Sequence, residues 1–223
     1  MSTMRLKIAE HMVLSKRTSP HVTTVHRVDM TKVARLRDKY KELFKSNYGF
    51  SLTFLPFIAR ASVAALRQFP LLNASLDGNN IVYHNEINIG IAVALENGLI
   101  VPVVRNADEK NLLGLQRAVV DLAARARSRQ LKPDEVVGGT FSITNFGSYG
   151  SLIGTPVINQ PQVAIIGVGT VDKTPVVIDD AIAIRSICHL SLSFDHRLID
   201  GALADQFMMK VKQVLENWSE EVL

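Results

Sequence analysis

One cysteine, Cys188, is all the thiol in a chain of 223 residues. No disulfide can therefore close within it, and no cysteine-based metal cluster can form; no metal is expected. Apolar runs are short as well. Ile87 to Ala94 and Val163 to Val168 are broken by glycine or polar residues and fall far below the roughly 20 residues that a bilayer crossing needs. Met1-Ser2-Thr3-Met4-Arg5 meets charge at once and lacks the apolar core and cleavage site of a secretory leader. A cytoplasmic setting is the expectation, or the mitochondrial matrix for a eukaryotic source. Aromatics make up only 6% of the chain, and no basic stripe interleaved with them, nor any DNA- or RNA-binding motif, is present, so no nucleic-acid partner is expected. A glycine-rich phosphate loop opening a helix is missing too: Gly138-Gly139 and Gly167-Val168-Gly169 come closest and neither starts one. With no repeat, no low-complexity tract and no Pro/Gly/Ser linker, residues 1–223 read as a single domain.

Against these absences stands 47% hydrophobic content, enough for a full core at this length. A net charge of +4 permits an anionic partner without choosing one. Helical periodicity predicts helices over Arg5 to Lys16, Thr31 to Lys45, Leu52 to Gln68, Leu112 to Gln130 and Ala202 to Trp218. Strands are predicted at Val22 to Val28, Ile81 to His84, Ile87 to Leu95, Ile100 to Val104, Thr140 to Thr144, Val163 to Val168 and Ala181 to Phe194. Asp77-Gly78, Asn97-Gly98 and Asp179-Asp180 lie between strand candidates as hairpin signals, so part of the sheet must be antiparallel. The expected fold class is α/β, a mixed β-sheet with packed helices. Two basic runs stand out: Arg35, Arg37, Lys39 and Lys41, and Arg125, Arg127, Arg129 and Lys132. The second reads as a solvated helix face near a C-terminus, where cations are favoured.

The segment richest in chemistry is Ser193-Phe194-Asp195-His196-Arg197-Leu198-Ile199-Asp200-Gly201, where a long apolar strand gives way to an amphipathic helix. Strand ends are where side chains reach a cleft. On spacing alone His196 is a candidate base, while Asp200 reads equally well as the cap of the helix that follows. Cys188 and His189, inside the strand, read as sheet residues.

His196-x-x-x-Asp200-Gly201 resembles the motif of the acyltransferase superfamily that includes chloramphenicol acetyltransferase and the dihydrolipoamide acyltransferases; the longer Asp-His-Arg-x-x-Asp-Gly form resembles the latter. Further segments match the same catalytic domain, in order along nearly the whole chain: Arg5-x-x-Ile8-Ala9-x-x-Met12, Phe69-Pro70-x-Leu72-Asn73-Ala74, Gly98 to Val103, Gly138 to Asn145, and Pro156-Val157-Ile158-Asn159-x-Pro161. The resemblance implies a chloramphenicol acetyltransferase-like fold and transfer of an acyl group between a dihydrolipoamide thiol and coenzyme A, at the core of a 2-oxo acid dehydrogenase complex. Acetyl is the default group, with succinyl and branched-chain acyl groups as the other family versions. Asp172-Lys173 resembles the modified-lysine turn of lipoyl domains but lacks the β-barrel setting and reads as an ordinary turn. The lipoyl group is thus expected on a separate domain, with no lipoyl or peripheral-subunit-binding domain in this chain.

Thioester exchange needs a thiolate, and a free thiol of pKa about 8.5 is only a few per cent ionised at neutral pH. A neutral histidine near 6.5 is about two units less basic, so proton transfer costs roughly 2.7 kcal/mol, within reach of general-base catalysis. By resemblance His196 is that base. Thr144 is by resemblance the donor to the carbonyl oxygen of the tetrahedral intermediate, a contact worth about 3 to 4 kcal/mol in comparable sites. Asp200 is assigned an orienting role through a structural ion pair with Arg5. The family's coenzyme A channel maps by resemblance onto Arg37, Thr53, Asn145 and Gly169, in keeping with the cationic and hydrogen-bonding neighbours that phosphates require.

The resemblance also implies a homotrimer at least, with His196 and Thr144 of one site coming from different subunits. Family trimers build a 24-mer or 60-mer core that serves 2-oxo acid dehydrogenase and dihydrolipoamide dehydrogenase components. The family's C-terminal tail ends in several leucines after an Asp-Pro turn, and Leu215 to Leu223 departs from that pattern. Two other readings are a catalytically silent structural core and an acetyltransferase for a small hydroxylated acceptor. The silent core has no need of His196, Asp200 and Thr144 together; the segments around Arg5, Asn73 and Pro156 favour the lipoyl-type enzyme over the second.

Overall fold

The computed structural model describes residues 1, 3–95 and 98–222, with the backbone alone at Met4. Helix α1 (Thr3–Thr18) leads into strand β1 (His21–Asp29), followed by α2 (Thr31–Tyr48) and α3 (Leu55–Gln68). Short strands β2 (Ala74–Asp77), β3 (Asn80–Tyr83), β4 (Ile89–Ile91), β5 (Val93–Leu95), β6 (Gly98–Ile100) and β7 (Val103–Val104) come next. The chain closes with α4 (Leu112–Arg127), β8 (Phe141–Asn145), β9 (Ala164–Ile178), β10 (Ala181–Asp195) and α5 (Gly201–Glu216). Local chemistry sets the helix ends. α2 stops where Gly49 turns left-handed at φ 78° and returns its N–H to Lys45. Asn111 and Asp200 cap α4 and α5 by accepting the N–H groups of Gly114 and Leu203.

Six strands form the main sheet in the order β1-β10-β9-β8-β4-β7. β8 runs parallel to both β4 and β9, and the remaining pairs are antiparallel, the expected mixed sheet. One face packs on the helices. Cys188, Leu190, Leu192 and Phe194 of β10 join a core with Phe57, Leu66, Phe207, Met208 and Val211, where Phe57 meets Trp218 and Phe207 meets Phe69 and Phe141 edge-on or tilted. Because strand residues alternate faces, Ser191, Ser193 and Asp195 point the other way. They too are closed from solvent, and the groups nearby are polar: Thr23 bonds Ser193, Ser142 bonds Gln162, and Ser15 at the end of α1 bonds the carbonyl of Ile158.

Several expectations shift. The single strand expected at Ile87 to Leu95 is two strands in different sheets, split at Ala92, whose N–H goes to Ile143. Pro102 lacks the N–H that a ladder needs and divides Ile100 to Val104 in the same way, offering only its carbonyl to Ile91. Asp172-Lys173 is no turn: it lies inside β9, opposite Ile187 and Ser186. β9 runs on past the glycines because β10 provides a partner along its whole length, and Asp179 and Asp180, both at positive φ, make the reversal. Strand β2 was not anticipated; it pairs with β3 around Gly78-Asn79, one residue beyond the Asp77-Gly78 signal. In the Asn97-Gly98 signal, Asn97 lies outside the described residues, while Gly98 pairs with Leu95. No described helix is long and apolar enough to cross a membrane.

Candidate active site

His196 begins the turn between β10 and α5 and is exposed. Its backbone is held on every side. Its own N–H donates to Pro20 at 3.0 Å, the preceding Asp195 N–H donates to Val163 at 2.8 Å, and Leu198 and Ile199 both donate to the Asp195 carbonyl. The Asp195 carboxylate is buried, at 1% exposure. Arg197 clasps it through its backbone N–H, Nε and Nη2, and the Ser19 hydroxyl donates to Oδ2 at 2.6 Å. Burial alone would raise the Asp195 carboxyl, but the Arg197 and Ser19 donors together outweigh it and hold it below the usual carboxylate range. Beside it, His21 Nε2 accepts the Ile158 N–H at 3.0 Å and Nδ1 lies 2.7 Å from the Ser19 carbonyl. A carbonyl only accepts, so the proton sits on Nδ1 and the ring is neutral. Burial lowers the His21 pKa, with Lys16 adding to the effect.

Asp200 adopts the helix-capping role, its Oδ1 taking the Leu203 N–H at 2.8 Å. Arg5, named for an ion pair with it, is exposed in the first turns of α1. Thr144 is half-buried near the end of β8, opposite Gly167 of β9. Asn145 follows it, exposed, with Oδ1 accepting the Ser148 N–H. Gly169 lies two residues along β9 from Gly167, where a Cβ would collide with the backbone of Leu152 and His189. Close packing therefore accounts for that glycine. On the helical side the Arg37 guanidinium lies 4.9 Å from the ring centroid of Phe54, the residue after Thr53, and both the N–H and the hydroxyl of Thr53 donate to Gln116 Oε1. Arg37 Nη1 reaches Asp38, while its buried Nε has no partner among the described residues.

The structure does not bring His196 and Thr144 together within one chain. Thr144 is level with Gly167, and Gly167 with Ser191, so His196 lies two strands across and five residues along. At about 3.3 Å per residue and about 4.8 Å per strand this is a separation of about 19 Å, far beyond the roughly 3 Å at which donors and bases act. Residues that sequence reasoning passed over are Ser19, His21, Gln116 and Gln160. Asp195 and Arg197 stood in the motif without a role, and only their placement beside Ser19 reveals one. Burial pushes the Cys188 thiol up to about 12, in keeping with a sheet residue. No cluster of three His, Cys, Asp or Glu side chains suited to a metal occurs among the described residues.

The sequence matches the 2-oxoacid dehydrogenases acyltransferase (catalytic domain) family over residues 1–223. The chain belongs to that family. It is 45% identical over 217 residues to the dihydrolipoyllysine-residue succinyltransferase component of the 2-oxoglutarate dehydrogenase complex of Cupriavidus necator, covering 97% of this chain and 52% of that protein. It is 46% identical over 214 residues to the dihydrolipoyllysine-residue acetyltransferase component of the pyruvate dehydrogenase complex of Mycobacterium bovis, covering 93% and 39%. The chain thus spans about half the length of the curated relatives it matches, or less. Among solved structures, a probable dihydrolipoamide acetyltransferase from Listeria monocytogenes superposes with a TM-score of 0.97 at 42% identity, over 100% of this chain and 95% of that one. The cubic core of the pyruvate dehydrogenase multienzyme complex gives 0.94 at 36%, over 97% and 90%. Chloramphenicol acetyltransferase gives 0.56 at 14%, over 92% and 94%, which shows the shared fold alone.

Proposed function

We propose that the chain is the single catalytic domain of a dihydrolipoamide acyltransferase and that its active site is completed between two copies, His196 from one and Thr144 from the next. The observation that carries this reading is the separation of the two groups: His196 in the turn after β10 and Thr144 near the end of β8 are each open at least in part to a partner, yet about 19 Å lies between them in one chain. A closed ring of three identical chains repeats one heterologous contact three times, so each contact can join one His196 to one Thr144. There His196 takes the proton of the attacking thiol and returns it to the leaving sulfur, while the Thr144 hydroxyl donates to the carbonyl oxygen as charge develops on it.

Coenzyme A and dihydrolipoamide are the substrates, the latter carried on a separate lipoyl domain, within a complex containing 2-oxo acid dehydrogenase and dihydrolipoamide dehydrogenase. The positive charge of Arg37, held on Phe54 next to the exposed Thr53, suits a phosphate of coenzyme A, and Asn145 and Gly169 border the Thr144 end of the channel. Relatives named as succinyl- and acetyltransferases are equally close, at 45% and 46%, so acyl choice turns on pocket shape, where a methylene is worth about 1 to 3 kcal/mol.

The test is acyl transfer from acetyl-, succinyl- and isobutyryl-coenzyme A to dihydrolipoamide by wild type, His196→Ala and Thr144→Ala. Wild type should be active with at least one donor and both variants severely impaired. In 1:1 co-assembled trimers of the two variants, a random arrangement leaves about a quarter of contacts with both native groups, so activity should return toward about a quarter of wild type. Hybrids as inactive as their parents would refute the shared site. An inactive wild type would favour a silent structural core.

A further inference from the structure

We infer that Ser19, through the Asp195 carboxylate, is a positioning residue for the His196 base. The inference rests on the functional reading of His196 above. Ser19 is 1% exposed in the two-residue link between α1 and β1. Its hydroxyl has one proton, and the neighbours fix where it goes: the ionised Asp195 carboxylate can only accept, so the proton points to Oδ2 at 2.6 Å. The oxygen then accepts the Gln160 Nε2–H at 2.7 Å. The next residue, Pro20, accepts the His196 N–H. Two successive residues of one segment therefore hold two successive residues of the other, by one side-chain bond at Asp195 and one main-chain bond at His196.

The bonds pin the backbone under His196 and leave its imidazole free. Asp195 sits before it with its carboxylate divided between Ser19 and Arg197, and Arg197 sits after it bonded to that same carboxylate. A strand end that merely had to turn could do so with apolar packing, which is often as stable as a buried charge cluster. Here a buried carboxylate is satisfied from two segments, Ser19 of the α1–β1 link and Arg197 of the turn itself, at the one turn that presents the base. Losing the Ser19 hydroxyl leaves Arg197 as the sole anchor and strips Gln160 of its acceptor, so the turn is free to rock. A misplacement of about 1 Å can lower turnover by about a hundredfold.

Full-length Ser19→Ala and Ser19→Thr are compared by kcat and KM for both thiol substrates, in the wild-type and His196→Ala backgrounds. Sedimentation and thermal unfolding are followed alongside. The expected result is a fall in kcat of about tenfold or more for Ser19→Ala with each KM within about twofold. Ser19→Thr should restore most of the rate, and Ser19→Ala should not lower the residual rate of His196→Ala any further. Near-wild-type kcat in folded, assembled Ser19→Ala would overturn the inference, as would an equal proportional loss in the His196→Ala background, which marks a purely structural role. If Ser19→Ala does not fold, Gln160→Ala removes only the donor to the Ser19 oxygen, and an unchanged kcat there would also overturn it. A His196→Ala protein as active as wild type would instead sink the functional reading, and the Ser19 inference with it.

Discussion

At the residue scale, the groups packed around the turn between β10 and α5 are tied to particular protonation states. Neutral His21 accepts the Ile158 N–H and donates to the Ser19 carbonyl; a second ring proton would abolish the first bond and bury a cation near Lys16, costs that outweigh the Ser19 carbonyl and the charge of Asp195 in its favour. Its pKa in the folded protein is therefore depressed below the value near 6.5 of an unfolded histidine. Between those two values the unfolded chain binds more protons than the folded one, so stability is fully present above about pH 6.5 and falls as the pH drops below it, by at most about 1.4 kcal/mol per pH unit. Asp195 and Asp205, both held low, lose their contribution only further down, in the carboxylate range. Urea midpoints taken between pH 7.5 and 5 should thus decline for wild type and flatten for His21→Gln. Parallel curves for the two proteins would show that His21 stays neutral for no energetic reason.

At the scale of elements, the segment between α2 and α3 illustrates how a side chain distant in sequence shapes a site. Gln116, buried on α4, receives the N–H and hydroxyl of Thr53 on its carbonyl oxygen and donates its amide to the Ser51 carbonyl. Three bonds from one amide hold the stretch that sets Thr53 and Phe54 against Arg37. Gln116→Leu should keep the volume yet free the segment, raising KM for coenzyme A several-fold while kcat stays within about twofold, since uniform binding is lost and no group at the reacting thiol is touched. A fall in kcat with KM unchanged would place the segment at the chemistry instead. Nothing in the local sequence announces this clamp: a glutamine in an amphipathic helix reads as surface. Other elements were legible for physical reasons. Five helices follow from apolar spacing, and the positive-φ pair Asp179-Asp180 from the needs of a tight reversal. The splitting of strands at Ala92 and Pro102 was not, since continuous apolar runs carry no mark of which sheet each half joins. Arg125 shows the same limit: counted within a basic run, it is clasped between Asp121 and Glu135, which holds the Glu135 carboxyl at about 2 and leaves that guanidinium occupied within the chain. His196 and Thr144 are named as site candidates by family resemblance alone, whereas the Ser19–Asp195 contact, 176 positions apart, exists only in the fold.

At the scale of the whole molecule, the proposed site requires each chain to carry two halves of different sites, set apart along one strip of sheet. Its sheet face away from the helices is lined by Ser142, Ser191, Ser193 and Asp195, all shielded within the chain, so each chain is expected to hold its own fold without its neighbours. The C-terminal stretch adds to this autonomy, with Trp218 packed edge-on against Phe57, Arg60 bonded to Glu220 and Val222 buried. Folding and catalysis should therefore separate. In increasing urea, activity should disappear together with the trimer in sedimentation, while the far-ultraviolet signal and Trp218 fluorescence of the released chains persist to higher denaturant. The loss should also shift to lower urea as the protein is diluted, because only assembly depends on concentration. A monomer that sediments as a single chain and still transfers acyl groups would mean that His196 and Thr144 do not need each other, and the separation of about 19 Å along the sheet would then have to be bridged by another donor in the same chain.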